Sequence, residues 1–96
     1  MKILWSPAAH SDLLRLHDFL KNENPEAALM ALKSIKENIT KIADFPNIGV
    51  QISAMPSWRE FYIPFGRQAY VVRYVQTSPT VVFIIRVWHS RENRPK

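Results

Sequence analysis

The stretch VVFIIRVW, from Val81 to Trp88, limits the possible folds more than any other part of the chain. It is almost continuously apolar and β-branched, and it lacks the polar alternation of a strand with one face in water. Such a run is a strand buried on both faces, flanked by neighbours inside a sheet. A chain that owns such a strand must build a sheet around it and lay something over that sheet. With 96 residues, 47% of them apolar, the sequence has material for one domain over 1–96 and no second core.

The covering layer is written into the N-terminal half. KILW (Lys2–Trp5) reads as a short first strand, stopped by Ser6 and Pro7. Ser6 as N-cap and Pro7 at the first helical position predict a helix start, because proline has no N–H to leave unsatisfied there. Ala9, Leu13, Leu16 and Leu20 step by four and three along one face, and His10, Asp12, Arg15 and Asp18 are expected to point elsewhere. Asn24, Pro25 and Glu26 repeat the start signal. Ala28, Leu32, Ile35, Ile39 and Ile42 then carry a second apolar stripe to about Ala43. Two amphipathic helices joined by a tight turn predict a helical hairpin laid on a sheet.

After Phe45 the periodicity stops. FPNIG and the residues up to Ser57 predict a loop. WREFYI (Trp58–Ile63) and QAYVVRYV (Gln68–Val75) read as strands, separated by PFGR, whose Gly66 can take positive φ. QTSPT then turns the chain into the last strand. The expected fold is α+β in the order β-α-α-β-β-β: a mostly antiparallel four-stranded sheet with both helices on one face.

Charge is unevenly spread. Up to Ser57 the six basic and six acidic residues cancel, so the whole net charge of +5 lies beyond it. There Arg59, Arg67, Arg73, Arg86, Arg91, Arg94 and Lys96 face only Glu60 and Glu92. The guanidinium fork suits carboxylate and phosphate groups, so this portion is expected to meet an anionic partner. By alternation Val82, Ile84, Arg86 and Trp88 share one face of the last strand. Val81, Phe83, Ile85, Val87 and His89 share the other. Arg73 and Arg86 either remain hydrated on the helix-free face or pair across strands with Glu60 or Glu92. Tyr70, Tyr74, Phe61 and Trp88 suit a core better than a stacking platform. His89 stands between two arginines at a strand end, and His10 and His17 read as surface residues. With no cysteine and no carboxylate at suitable spacing from a histidine, neither a metal nor a cofactor is expected. No apolar run approaches the roughly 20 residues of a bilayer span and no secretory h-region is present, which predicts a soluble cytoplasmic protein.

Taken in order, WSPAAHSDLLRLHDFL, ADFPNIG, WREFYIPFGRQAYVVRYV and VVFIIRVWHSREN resemble the ParE/RelE superfamily of bacterial toxins from type II toxin–antitoxin modules. The resemblance spans nearly the whole chain. It implies a cognate antitoxin whose acidic, partly disordered segment folds onto the toxin. RelE-like members cleave messenger RNA in the ribosome. By position Arg67, Tyr70, His89 and Arg91 match places where those enzymes carry functional residues, with Arg67 and Arg91 on the phosphate and His89 as acid or base. ParE-like members bind and poison DNA gyrase. The FPNIG turn, R-x-F at Arg59–Phe61, Y-x-V-x-Y at Tyr70–Tyr74 and RVWHSR look more like that branch. The second strand, Trp58–Ile63, contains no lysine, and the chain stops at Lys96 without the further segment in which many RelE-like enzymes place a catalytic tyrosine. On the binding reading the partner surface comprises Arg59, Arg67, Tyr70, Arg73, Arg86, Trp88, His89 and Arg91. A third reading is a degenerate member that binds its antitoxin and is not toxic.

Overall fold

A computed structural model describes residues 1–95. The elements run β1 (Lys2–Trp5), α1 (Pro7–Glu23), α2 (Pro25–Asp44), β2 (Val50–Ile52), β3 (Met55–Phe65), β4 (Gln68–Ser78) and β5 (Val81–His89). Both helix starts form as the cap residues dictate: Ser6 Oγ accepts from the Ala9 N–H at 2.9 Å and Asn24 Oδ1 from the Ala27 N–H at 3.1 Å. Asn24 closes α1 and opens α2, which makes the hairpin turn tight.

The sheet has five strands in the order β1-β5-β4-β3-β2, not four. β2 is the added one, inside the stretch expected to be a loop. Three residues are too few to show alternation, and β2 exists by pairing: Val50 stands opposite Glu60 and Gln51 opposite Arg59. β5 is internal, as its composition requires, with β1 parallel on one side and β4 antiparallel on the other. The other pairs, β4–β3 and β3–β2, are antiparallel. The β3–β4 turn uses Gly66 at φ 62°, where a side chain would be strained.

The helices cover one face. Ile35, Ile39 and Ile42 of α2 and Ala9 and Leu16 of α1 pack with Ile63, Tyr70, Val72, Tyr74, Val82, Ile84 and Val87. Each isoleucine or valine buried there contributes about 1.5–3 kcal/mol relative to exposure.

Simple alternation fails in the middle of β5, one of three register shifts in the sheet. Tyr74 pairs with Ile84 but Arg73 pairs with Arg86, so Ile85 is an extra residue in the ladder. Val82 and Ile84 before this bulge and Val87 after it all belong to the core, although strict alternation puts Val87 on the opposite face. The shift sends His89 toward the helix side against Tyr70 and leaves Trp88 beside Arg73 on the other face.

That other face is not left open for Arg73 and Arg86. Arg73 is only 7% exposed. Its Nη2 and Nε donate to Glu60 Oε2 at 2.8 and 3.1 Å, and its guanidinium lies 5.0 Å from the Trp88 ring. Arg94 folds over the same place, pairing with Glu60 and stacking on Trp88 at 5.5 Å.

Candidate functional site

A cleft of about 560 Å³ opens between α1 and the ends of β4 and β5. Arg15, Leu16, Phe19, Leu20 and Glu23 come from α1, and Tyr70, His89, Arg91 and Glu92 form the opposite wall. The apolar side chains of the helical wall belong to the C-terminal half of α1. Its inner stripe continues as Leu16 and Leu20, and Phe19 is 68% exposed.

Tyr70 and His89 on the opposite wall belong to a run of rings. Phe65 and Tyr70 have ring centroids 5.6 Å apart, and Tyr70 meets the His89 ring edge-on at 5.3 Å. Burial, with the Glu92 charge adding to it, pushes the Tyr70 phenol above its ordinary value, so it stays protonated at neutral pH.

Backbone geometry fixes the turn after β5. Ser90 N–H donates to Ala69 O at 2.8 Å, Glu92 N–H to His89 O at 2.9 Å, and Arg91 N–H to His89 Nδ1 at 3.2 Å. With the Gln68 amide oriented to satisfy both ends, its oxygen accepts from Arg91 Nε and Nη2 at 3.1 Å and its nitrogen donates to Ser90 Oγ. Glu92 accepts from the His89 N–H at 2.8 Å with one oxygen and pairs with Arg15 through the other. Burial alone would raise the Glu92 carboxyl, but hydrogen bonds from Arg15 and the His89 N–H hold it below its ordinary value.

Behind Arg15 lies a group whose place the sequence reading missed. Asp12 does not point to solvent: it is 3% exposed, accepting from Arg86 Nε at 2.8 Å and Nη2 at 3.1 Å, from the Val87 N–H at 2.9 Å and from Arg15 at 3.0 Å. β1 ends opposite Ile84, which leaves the Val87 N–H without a strand partner, and Asp12 supplies one. Burial would raise its carboxyl, but these donors together hold it below its ordinary value. The signal was present, since Ala9, Asp12 and Leu16 are spaced by three and four like any buried stripe. The Arg15–Glu92 pair spans 77 residues and leaves no trace in local pattern.

The expected site residues are therefore divided. Tyr70, His89 and Arg91 line the cleft. Arg67 is exposed on the β3–β4 turn. Arg73 and Trp88 are buried on the other face, and Arg86 is bound to Asp12. Arg59 donates to Gly49 O at 2.7 Å and helps hold the loop before β2, where the Tyr74 hydroxyl donates to Pro46 O at 2.7 Å and accepts from the Gly49 N–H at 2.9 Å. Among the described residues, no group of three or more His, Cys, Asp or Glu is placed to hold a metal. Among them, too, no helix is long and apolar enough to cross a membrane.

A family model described as the ParE toxin of the type II toxin–antitoxin system parDE matches residues 3–94. The chain belongs to the ParE toxin family. Two curated relatives of this ParE-family chain come from Caulobacter vibrioides. Toxin RelE3 is 35% identical over 88 residues, covering 92% of each chain, and Toxin RelE1 is 33% identical over 92 residues, covering 96% of each. A solved structure titled as the chromosomal ParDE system from P. aeruginosa superposes with a TM-score of 0.73 at 23% identity, covering 93% of this chain and 95% of that one. That likeness gives the fold: the α+β architecture expected from sequence, with the β2 strand added. The chain is thus a toxin of the type II toxin–antitoxin class, in the ParE/RelE superfamily.

Proposed function

We propose that this toxin acts in the ParE manner, by binding DNA gyrase and blocking it, and that a cognate antitoxin neutralises it by laying an acidic, partly disordered segment along the cleft and the His89 turn. The observation that carries this reading is how the polar groups of the cleft are used. Cleavage of RNA requires an acid or base at the reacting oxygens and cations ready for a phosphorane. Here the Arg91 guanidinium is bonded to Gln68, Arg15 is bonded to Glu92 and Asp12, and the His89 ring accepts from the Arg91 N–H through Nδ1, which leaves Nε2 as its one nitrogen outside the turn's own bonds. What remains is an apolar groove with Phe19, Leu20 and Tyr70 as anchors, the anatomy of a docking site.

A second reading has its own support. Both curated relatives carry RelE names, and His89 and Arg91 do stand together, with Arg67 on the β3–β4 turn. A ribosome-dependent endoribonuclease would use His89 as acid or base and Arg67 and Arg91 to hold the phosphate.

Induction of the chain without antitoxin separates the two. Gyrase-linked DNA breaks and altered plasmid supercoiling, with intact transcripts, are the expected result. Transcripts cut within codons while supercoiling is normal would overturn the binding reading, and loss of that cutting in His89→Ala would assign the acid or base. Wild-type expression without any slowing of growth would leave a degenerate, antitoxin-binding member.

A further inference from the structure

We propose that Asp12 is a positioning residue for the turn from His89 to Glu92, acting from α1 through Arg15 and Glu92. That the turn meets a partner belongs to the function proposed above, whereas the positioning is a property of the folded chain and is tested without any partner.

The turn is held on two sides. Toward β4, Ser90 and Arg91 are tied to Ala69 and Gln68. Toward α1, the tie is the Arg15–Glu92 pair. Glu92 divides its carboxylate, one oxygen on the His89 N–H at 2.8 Å and the other on Arg15, so where Arg15 stands decides how Glu92 holds His89.

Arg15 cannot define a position alone. Its side chain is 43% exposed, and a long cation in water gives up rotamer freedom when it is fixed. Surface pairs made by such chains are weak unless a third group orients them. Asp12 is that group: its Oδ1 accepts from Arg15 Nη2 at 3.0 Å, and Val87 O adds a contact at 3.4 Å. Asp12 is itself buried and clamped by both the Arg86 fork and the Val87 N–H. A buried anchor, an oriented arginine and a divided carboxylate thus run from the middle of α1 to the backbone of His89, whose ring lies against Tyr70.

The test is a double-substitution cycle read at the His89 amide by saturation-transfer NMR on the full chain. Asp12→Asn should speed exchange of that amide by about tenfold, and Glu92→Gln added to it should change the rate by less than about twofold, because both break one chain of contacts. Arg15→Gln, which leaves the Asp12–Arg86 clamp intact, should reproduce the loosening with an unchanged melting temperature. If Asp12→Asn does not fold, Asp12→Glu keeps the charge and shifts the carboxylate by one methylene, with the same loosening expected. Multiplying effects of Asp12→Asn and Glu92→Gln, or an unchanged His89 amide in Arg15→Gln, would overturn the proposal. Growth inhibition that survives a loosened turn would sink the turn as the contact surface and leave the positioning intact.

Discussion

Replacing Asp12 by alanine would leave the Arg86 and Arg15 guanidiniums and the Val87 N–H without their shared, buried acceptor. Removing one member of a buried charged network costs about 3–5 kcal/mol, so Asp12→Ala is expected to unfold a chain of this size near ambient temperature, as followed by circular dichroism. Acid does the same reversibly. Donors from Arg86, Val87 and Arg15 hold the Asp12 carboxyl below its ordinary 3.8, and Glu92 is held below its ordinary 4.5. A carboxyl depressed in the folded state contributes stability that is complete above its unfolded value and is lost as pH falls through the folded one. The melting temperature should hold constant down to about pH 5 and fall below about pH 4, with a shallower fall in Asp12→Asn, whose neutral-pH stability is already reduced. An acid limb equally steep in Asp12→Asn would show that other carboxyls carry it.

At the scale of elements, the loop between α2 and β2 is set by contacts that no local pattern announces. FPNIG reads as a turn from its proline and glycine, and it is one. What fixes it is Tyr74, 25 residues beyond Gly49, whose hydroxyl both donates and accepts there. A Cβ on Gly49 would meet Tyr74 Cε1 and its hydroxyl at 2.8 Å and Arg59 Cβ at 3.1 Å, and both belong to packed strands. Gly49→Ala should therefore cost about 1–3 kcal/mol by overpacking, and Tyr74→Phe about 1–2 kcal/mol, both read from urea melts. Gly66→Ala, with open space around it, should cost only the strain of its positive φ, about 1–2 kcal/mol. Elements with strong local grammar were legible: both Pro-started helices, the internal position of β5, and strands β3 and β4. β2 was not, because a three-residue strand exists only through its partner. The β5 bulge was not, because one inserted residue changes which face Val87 and His89 take without changing composition. Of the cleft, the wall of Tyr70, His89 and Arg91 falls on residues the sequence singles out, while its other wall, from Arg15 to Glu23, is formed by α1 folding back.

At the scale of the whole molecule, the charge imbalance means something different in three dimensions. Read along the chain, the arginines beyond Ser57 form an unbalanced basic segment. In the fold, Asp12 crosses from α1 to take Arg86, Glu60 takes Arg73 and Arg94, and Glu92 takes Arg15. Much of the apparent anion-seeking surface is thus internal pairing, which a count along the sequence cannot show because the partners are distant in it. Arg67 remains exposed on the β3–β4 turn, and Arg91, bonded to Gln68, is exposed at the wall of the cleft. The two groups should separate cleanly under substitution. Arg73→Ala leaves Glu60, 5% exposed, without its better-buried partner and is expected to cost about 3–5 kcal/mol. Arg67→Glu should leave the melting temperature within about 2 °C of wild type, as exposed charges do, whereas Arg91→Glu also gives up its bonds to Gln68 and should cost about 0.5–1.5 kcal/mol. Their main effect is expected on encounter with the acidic antitoxin segment proposed above: the association rate by stopped-flow should drop about threefold or more at low salt and converge on wild type as salt screens the surface charges. Rates that fall equally at low and high salt would mean that these arginines make desolvated contacts in the bound state, which moves the centre of the interface from the apolar cleft to the β3–β4 turn.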